Sequence, residues 1–505
     1  MSDAQATSTP SRWLSPDSPY ENVVCDGPFR ELTMHGRTGV NATSIHSTLR
    51  FDAPQLNAPR GTLSLWLLPL EELSTQANIG HIKQFQADYQ AVPVLTDHAE
   101  LRNVNAATFA MTFFTNWYPH FYVKRTRGGL YSNAYKPTGS AVVGLGHFPV
   151  QRETWYHLAY TWDHEASDYC VYINGVLAGT SIQHKQDMPL RHEPAGQTLY
   201  AGHPRLVLSE IQIDNEPLRR DELRQRIASD PTKTDPDVQR ELERIYEGVG
   251  VPRLDWEAPG NWKTVLDLPL TGPDALNDFY VQSHRPSMAR TSDEGIRVQT
   301  PFTRTPKPDD WDQRSDEPFD ADQIYLWLER FFEGDLHLRY EFKSRSDRGL
   351  CLLAAQASGM HGEDFMLDHP RRTTGSMRMV FGENVRNYHW EYYRHMSDTR
   401  HDVASSGLIK QPWQWPLAYQ CLDHTLALEQ WHTLDFIHVG DRLLGALDDY
   451  VMFDLHDNPH ANSGPVYRRG RFGLRCMWRS DITYRHLRVR TPPDATVRPG
   501  REEPA

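Results

Sequence analysis

The sequence predicts an all-β protein: two β-sandwiches joined by a helical connector. Three observations predict it. Short runs of alternating apolar and polar residues, bounded by turn residues, recur along both halves. A single segment, roughly Leu218 to Gly250, carries helical periodicity instead. The halves also echo each other, which makes two copies of one sandwich type the economical reading. At 505 residues the chain is longer than one hydrophobic core organises, so two domains are expected from length alone.

In chain order, the Ser/Thr/Pro-rich start "MSDAQATSTPSRWLSPDSP" reads as loosely attached. The first sandwich is expected over 20–217. It holds "WYHLAYTWDHEASDYCVYINGVLAG", two strands and a tight Asn174-Gly175 turn. A helical linker follows over 218–260. In it Asp235 is an N-cap with Pro236 at the first helical position, Val238, Leu242 and Ile245 share one face, and Gly248 offers a stop. The second sandwich is expected over 261–492. Its "DLHLRYEFKS" alternates Leu336, Leu338, Tyr340 and Phe342 with His337, Arg339, Glu341 and Lys343, one core face and one wet face. "WHTLDFIHVGDRLLGALDDYVMFD" repeats the first half's pattern, with Asp448-Asp449 at the turn. The tail, 493–505, is Pro- and charge-rich and reads as disordered.

Composition narrows the function classes. A net charge of −13 leaves no dominant basic face, which argues against nucleic acid or an anionic membrane as partner. Local arginine clusters can still favour an acidic small substrate. The five cysteines are scattered, without CxxC or Cys-His spacing, so neither a zinc ribbon nor a disulfide framework is indicated. No basic start with an apolar stretch behind it is present, and no apolar run is long enough to span a bilayer; a cytoplasmic protein is expected. The high aromatic content fits a homodimer but does not require one.

The first half, through "TLSLWLLPL", "TWYHLAYTWD" and "VYINGVLAG", resembles the laminin-G or concanavalin A-like lectin superfamily. The second half resembles a narrower group, the YesU-like bacterial proteins of unknown activity. The stretches that carry this are "LHLRYEFKSRSDRGLCLLAAQASGMHGEDF", "VRNYHWEYYRH", "PVYRRGR" and "GRFGLRCMWRSDITYRHLRV". The resemblance implies a jelly-roll fold and a setting of uronic-acid-containing plant polysaccharides. It also implies that Gly362, Glu363, Asp364, His389, Tyr392 or Tyr393, and Arg394 belong to the family's pattern. Fold likeness alone does not supply chemistry.

The residues themselves offer a constellation. "VRNYHWEYYRH" places Tyr388, Trp390, Tyr392 and Arg394 on one face of a strand and Asn387, His389, Glu391 and Tyr393 on the other. A bulge would exchange those faces. Arg475 lies opposite Leu474 and Cys476, and Gln356 ends the apolar run "GLCLLAAQ". The charged loop "GMHGEDFMLDHPRR" brings Glu363, Asp364 and Arg371; "QPWQWPLAYQCLDHT" brings Trp413, Trp415 and His424, rings suited to stacking on sugars. In the first half, Tyr118, His120, Tyr122 and Lys124 share a face that fits either a sugar or a packing contact. The loop is read three ways: solvated surface, site rim, or a metal cage of His361, Glu363, Asp364, Asp368 and His369. It lacks HExxH and calcium-loop spacing, so no cofactor is expected, with structural calcium left open.

The expected chemistry is carbohydrate work on acidic oligosaccharides. A β-eliminating lyase needs a cation for the uronate carboxylate (Arg394, Arg475 or Arg371), a base (His389 or Tyr393) and an acid. A glycoside hydrolase would instead pair Glu391 with Glu363 or Asp364. A non-catalytic glycan-binding protein is the reading from another class.

Overall fold

The computed structural model describes residues 10–73, 91–101, 107–114, 120–125, 141–144, 146–166, 168–180, 195–250, 253–301, 322–368, 385–395, 404–412, 415–422, 427–461, 463–477 and 479–499. The chain divides into two units, one ending at Gly250 and one running from Val251. Each is a pair of antiparallel sheets, so the fold is the expected all-β one of two jelly-roll sandwiches.

In the first unit the larger sheet runs in the order Val176–Thr180, Asp168–Ile173, Tyr156–Asp163, Arg60–Pro69, Leu206–Asp214, Arg37–Ala42, Phe29–Met34. Its partner sheet begins at Ala141–Gly144 and ends at Val24–Asp26. Strand Arg60–Pro69 explains why "TLSLWLLPL" is apolar on both faces. Leu63, Leu65 and Leu67 enter the core between the sheets, whereas Trp66 and Leu68 pack on the outer face with Trp155 and Val207. That outer face is covered by helix α1 (Arg220–Ser229), which brings Leu223 and Ile227. Helix α2 (Pro236–Ile245) adds Val238, Leu242 and Ile245 to the main core. Asp235 caps it, accepting from the backbone nitrogens of Asp237 and Val238 at 2.8 and 3.2 Å. The connector thus packs on the first sandwich.

The second unit repeats the plan. The echoed segments occupy equivalent places: in each unit three consecutive strands form one edge of an eight-stranded sheet, here His432–Val439, Arg442–Leu447 and Tyr450–His456. The turns match as well. Asn174 and Gly175 have φ of 51° and 71°, Asp448 and Asp449 48° and 66°, the left-handed pair of a type I′ hairpin. The facing sheet runs Phe279–Gln282, Ile324–Leu328, Arg469–Cys476, Gly349–Gly359, Val385–His395, Ala404–Gln411, Trp415–Leu422. Its inner face gives Leu326, Leu353, Leu474, Trp390 and Leu408 to the core. Its outer face carries the polar residues considered next.

Candidate functional site

Strand Val385–His395 lies between Gly349–Gly359 and Ala404–Gln411. Its even-numbered Tyr388, Trp390 and Tyr392 enter the inter-sheet core, which sends Asn387, His389 and Glu391 to the outer face. His389 stands opposite Ala354, which is opposite Gly473, which is opposite Trp327. Glycine at 473 is required by packing: a Cβ there would lie 2.5 Å from the Trp327 ring. Arg475 is opposite Tyr325 on one side and Leu352 on the other. The outer face therefore presents an imidazole and a carboxylate on one strand, a guanidinium two strands away, and small or apolar residues between them.

These groups are deeply placed. His389 is fully buried and Glu391 nearly so, with Nε2 and Oε1 3.9 Å apart. Arg475 is fully buried, donates to Gln323 Oε1, and lies 5.2 Å from the Tyr325 ring centroid. Asn387 is also fully buried, and among the described residues neither its amide oxygen nor its amide nitrogen has a hydrogen-bond partner. A buried amide without partners costs free energy, so this arrangement is not one that stability alone would favour.

The loop after Gly359 folds onto the same face. Arg471 forms a two-pronged bond to Asp364, Nε to Oδ1 at 2.7 Å and Nη2 to Oδ2 at 2.6 Å. Beyond it Phe365 meets Trp327 edge-on at 5.0 Å. Glu363 Oε2 accepts from the His361 backbone nitrogen at 2.8 Å, and its side chain fills the space where a Cβ on residue 359 would fall. The loop is therefore a tied cover over one end of the face. Among the described residues no group of three or more His, Cys, Asp or Glu side chains is gathered as for a metal, and Asp364 is taken up by Arg471.

The structure brings His389, Glu391 and Arg475 onto one face, with Asp364 at its end. Other expected residues lie elsewhere. Tyr392 is a correction: it is fully buried in the inter-sheet core, its hydroxyl 2.9 Å from that of Tyr484. Tyr393 is a second. An irregularity between Glu391 and Arg394 turns it to the core side, where its hydroxyl donates to the Ser346 carbonyl at 3.3 Å and burial pushes its phenol up, away from use as a base. Gln356 sits at another irregularity with φ 52°, and its amide donates to the Gly334 carbonyl at 3.4 Å rather than joining His389. Trp415 is buried, which removes it as an exposed stacking ring. Arg371, Trp413 and His424 lie outside the described residues, as does the Arg394 side chain. In the first unit Tyr122 is buried, opposite in face to Phe121 and Val123; Tyr118 is outside the described residues.

Arg471 was missed by the sequence reading, although "RFGLR" holds the signal: Arg471, Gly473 and Arg475 alternate on one face. Asn387 was placed on the right face without being assigned a role.

No curated protein matches the chain. Solved structures resemble about half of it. A Bacillus subtilis protein of unknown function with a galectin-like fold is 17% identical with a TM-score of 0.37, covering 45% of this chain and 97% of its own. The carbohydrate binding module CBM66 from Bacillus subtilis is 13% identical with a TM-score of 0.25, covering 46% and 96%. SCLam, a non-specific endo-β-1,3(4)-glucanase of family GH16, is 10% identical with a TM-score of 0.30, covering 48% and 95%. Residues 269–489, most of the second unit, match the family described as "Domain of unknown function (DUF1961)".

Proposed function

We propose that the second unit acts on uronic-acid-containing oligosaccharides by β-elimination. One observation carries the reading: a buried histidine and carboxylate 3.9 Å apart share a sheet face with a buried arginine. On a uronate, a guanidinium such as that of Arg475 neutralises the carboxylate and makes the neighbouring C5–H more acidic. His389 takes that proton. The C4–O bond breaks as the C4=C5 double bond forms, and the resulting imidazolium returns its proton to the departing oxygen. Glu391 favours the charged imidazole in between. With Tyr392 and Tyr393 facing the core, His389 serves as both base and acid.

The two-carboxylate hydrolase is less well supported. It needs a second ionisable carboxylate opposite Glu391, and Asp364 is engaged by both prongs of Arg471. The test is ultraviolet absorbance of the unsaturated uronate during incubation with pectin- and alginate-derived oligosaccharides, beside His389→Ala. A rise that the variant loses supports elimination. New reducing ends lost in Glu391→Gln, without absorbance, would establish hydrolysis instead. Binding without either product would make the unit a glycan-binding module.

A further inference from the structure

A second pair of cations lies at the end of the same sheet, where strands Gly349–Gly359, Val385–His395 and Arg469–Cys476 meet the charged loop. Arg386 donates from Nε to Ser358 Oγ at 3.2 Å and from Nη1 to the Met360 carbonyl at 3.4 Å, with its guanidinium 5.0 Å from the Tyr467 ring centroid. Arg469 donates to the His361 carbonyl at 3.4 Å. Both converge on Gly362, whose φ is 85°. A Cβ at that residue would fall 2.5 Å from Arg469 Nε and 2.7 Å from Arg386 Nη2. Two like charges are thus held beside one glycine by neutral acceptors.

The neighbouring arginines differ. Arg468 is paired with Asp335 and Arg471 with Asp364, whereas among the described residues no carboxylate makes an ion pair with Arg386 or Arg469. Burial pushes Arg386 down, Tyr467 and Glu363 act the other way, and Arg469 adds repulsion. Two guanidinium groups without an ion-paired carboxylate among the described residues present positive charge that an anion would neutralise.

We infer that Arg386 and Arg469 form a carboxylate-binding subsite for an acidic sugar unit of the substrate. This rests on the reading of the face as a site for uronic-acid-containing oligosaccharides. The planar guanidinium fork matches a carboxylate's two oxygens. Arg386 precedes His389 by three residues on one strand, an odd step that turns its side chain to the face opposite His389, and its guanidinium reaches the loop around the strand's end. The carboxylate of a sugar unit would thus be held at the end of the sheet, beside the loop.

Calorimetry with trigalacturonate, its carboxyl-reduced neutral counterpart and inorganic phosphate tests the subsite on wild type, Arg469→Gln, Arg386→Gln and His389→Ala. Arg469 is exposed, so its variant leaves the fold intact. The expected result is that Arg469→Gln and Arg386→Gln each weaken trigalacturonate binding about tenfold or more, without changing the neutral sugar. Unchanged affinity for the acid in both variants, while wild type still binds and cleaves it, overturns the subsite and leaves the proposed function standing. Binding lost in the arginine variants, with no cleavage by wild type, keeps the subsite and removes β-elimination. No uronate binding by wild type overturns both, and phosphate competing as well as the sugar acid marks a general anion site and overturns the acidic-sugar assignment.

Discussion

Both units bury polar groups on a sheet's outer face, and they do it differently. In the first unit Arg37 is enclosed and answered from every side. Nε donates to Thr232 Oγ1 at 3.0 Å, Nη1 to Ser209 Oγ and Glu210 Oε2 at 3.2 Å each, and Nη2 to Asp230, while the guanidinium lies 4.5 Å from the Trp66 ring centroid. Asp230 and Thr232 come from the segment between the two helices, so the cluster fastens the helical layer to the sheet. In the second unit Asn387 is as deeply buried, and among the described residues its amide is unanswered. A saturated network holds a fold together; an unsaturated one leaves hydrogen-bonding capacity for something else.

The largest expected effect is on chemistry in the second unit. Losing a positioned general base lowers rates by about 10²–10⁴. His389→Ala is therefore expected to abolish most of the uronate elimination, measured by absorbance, while leaving the first unit's unfolding transition unchanged. A variant that kept the rate would place the base elsewhere.

Next comes Arg37→Met. Removing one member of a buried charged cluster leaves the others uncompensated, a loss of about 3–5 kcal/mol. Asp230 and Glu210 keep some contact with water, with side-chain exposures of 12% and 24%, so the lower end is expected. Urea denaturation should show about 3 kcal/mol lost, confined to the first unit. A neutral result would mean that the network is not what holds the helices down.

Histidines separate the units by pH. His157 in the first and His438 in the second are both held down at about 3. Burial is the main cause in each, reinforced by Arg226 and Arg37 for His157 and by Arg468 for His438. With an unfolded value near about 6.5, the unfolded chain takes up a proton between roughly pH 6.5 and 3 that the folded chain refuses. Stability therefore falls with falling pH in that window, by up to about 1.4 kcal/mol per unit for each histidine. His432 runs the other way: burial disfavours its charge, but the Asp448 carboxylate and the Ala427 carbonyl together outweigh burial and raise its pKa. Its contribution is full below the unfolded value and is lost as pH rises through the folded one. Urea midpoints from pH 7 to pH 5 should then fall more gently for His157→Gln than for wild type. An unchanged slope would remove His157 as a source.

How much of this was legible in sequence depends on the range of the signal. The paired hairpins were, because Asn174-Gly175 and Asp448-Asp449 mark turns that neighbouring residues dictate. The faces of Asn387, His389 and Glu391 were, because period-two alternation holds that far. It fails at Tyr393, since an irregularity of one residue between Glu391 and Arg394 leaves no mark in composition. Nor was the Arg471–Asp364 pair legible, its partners lying 107 positions apart. Arg386 and Arg469 converge only because three strand ends and Gly362 bring them together.

The smallest expected change in stability returns to Asn387. A residue whose amide has no partner among the described residues has little hydrogen bonding to lose, and an apolar replacement of similar shape avoids burying a polar group. Asn387→Leu is expected to alter unfolding free energy by less than about 1 kcal/mol, and in the stabilising direction if anything. Against Arg37→Met this is the opposite behaviour from equal burial. The same variant removes a donor and an acceptor beside His389, so trigalacturonate affinity should drop while the fold is retained. A variant that binds normally but unfolds easily would instead make Asn387 a fastening like Arg37, and the contrast between the two faces would disappear.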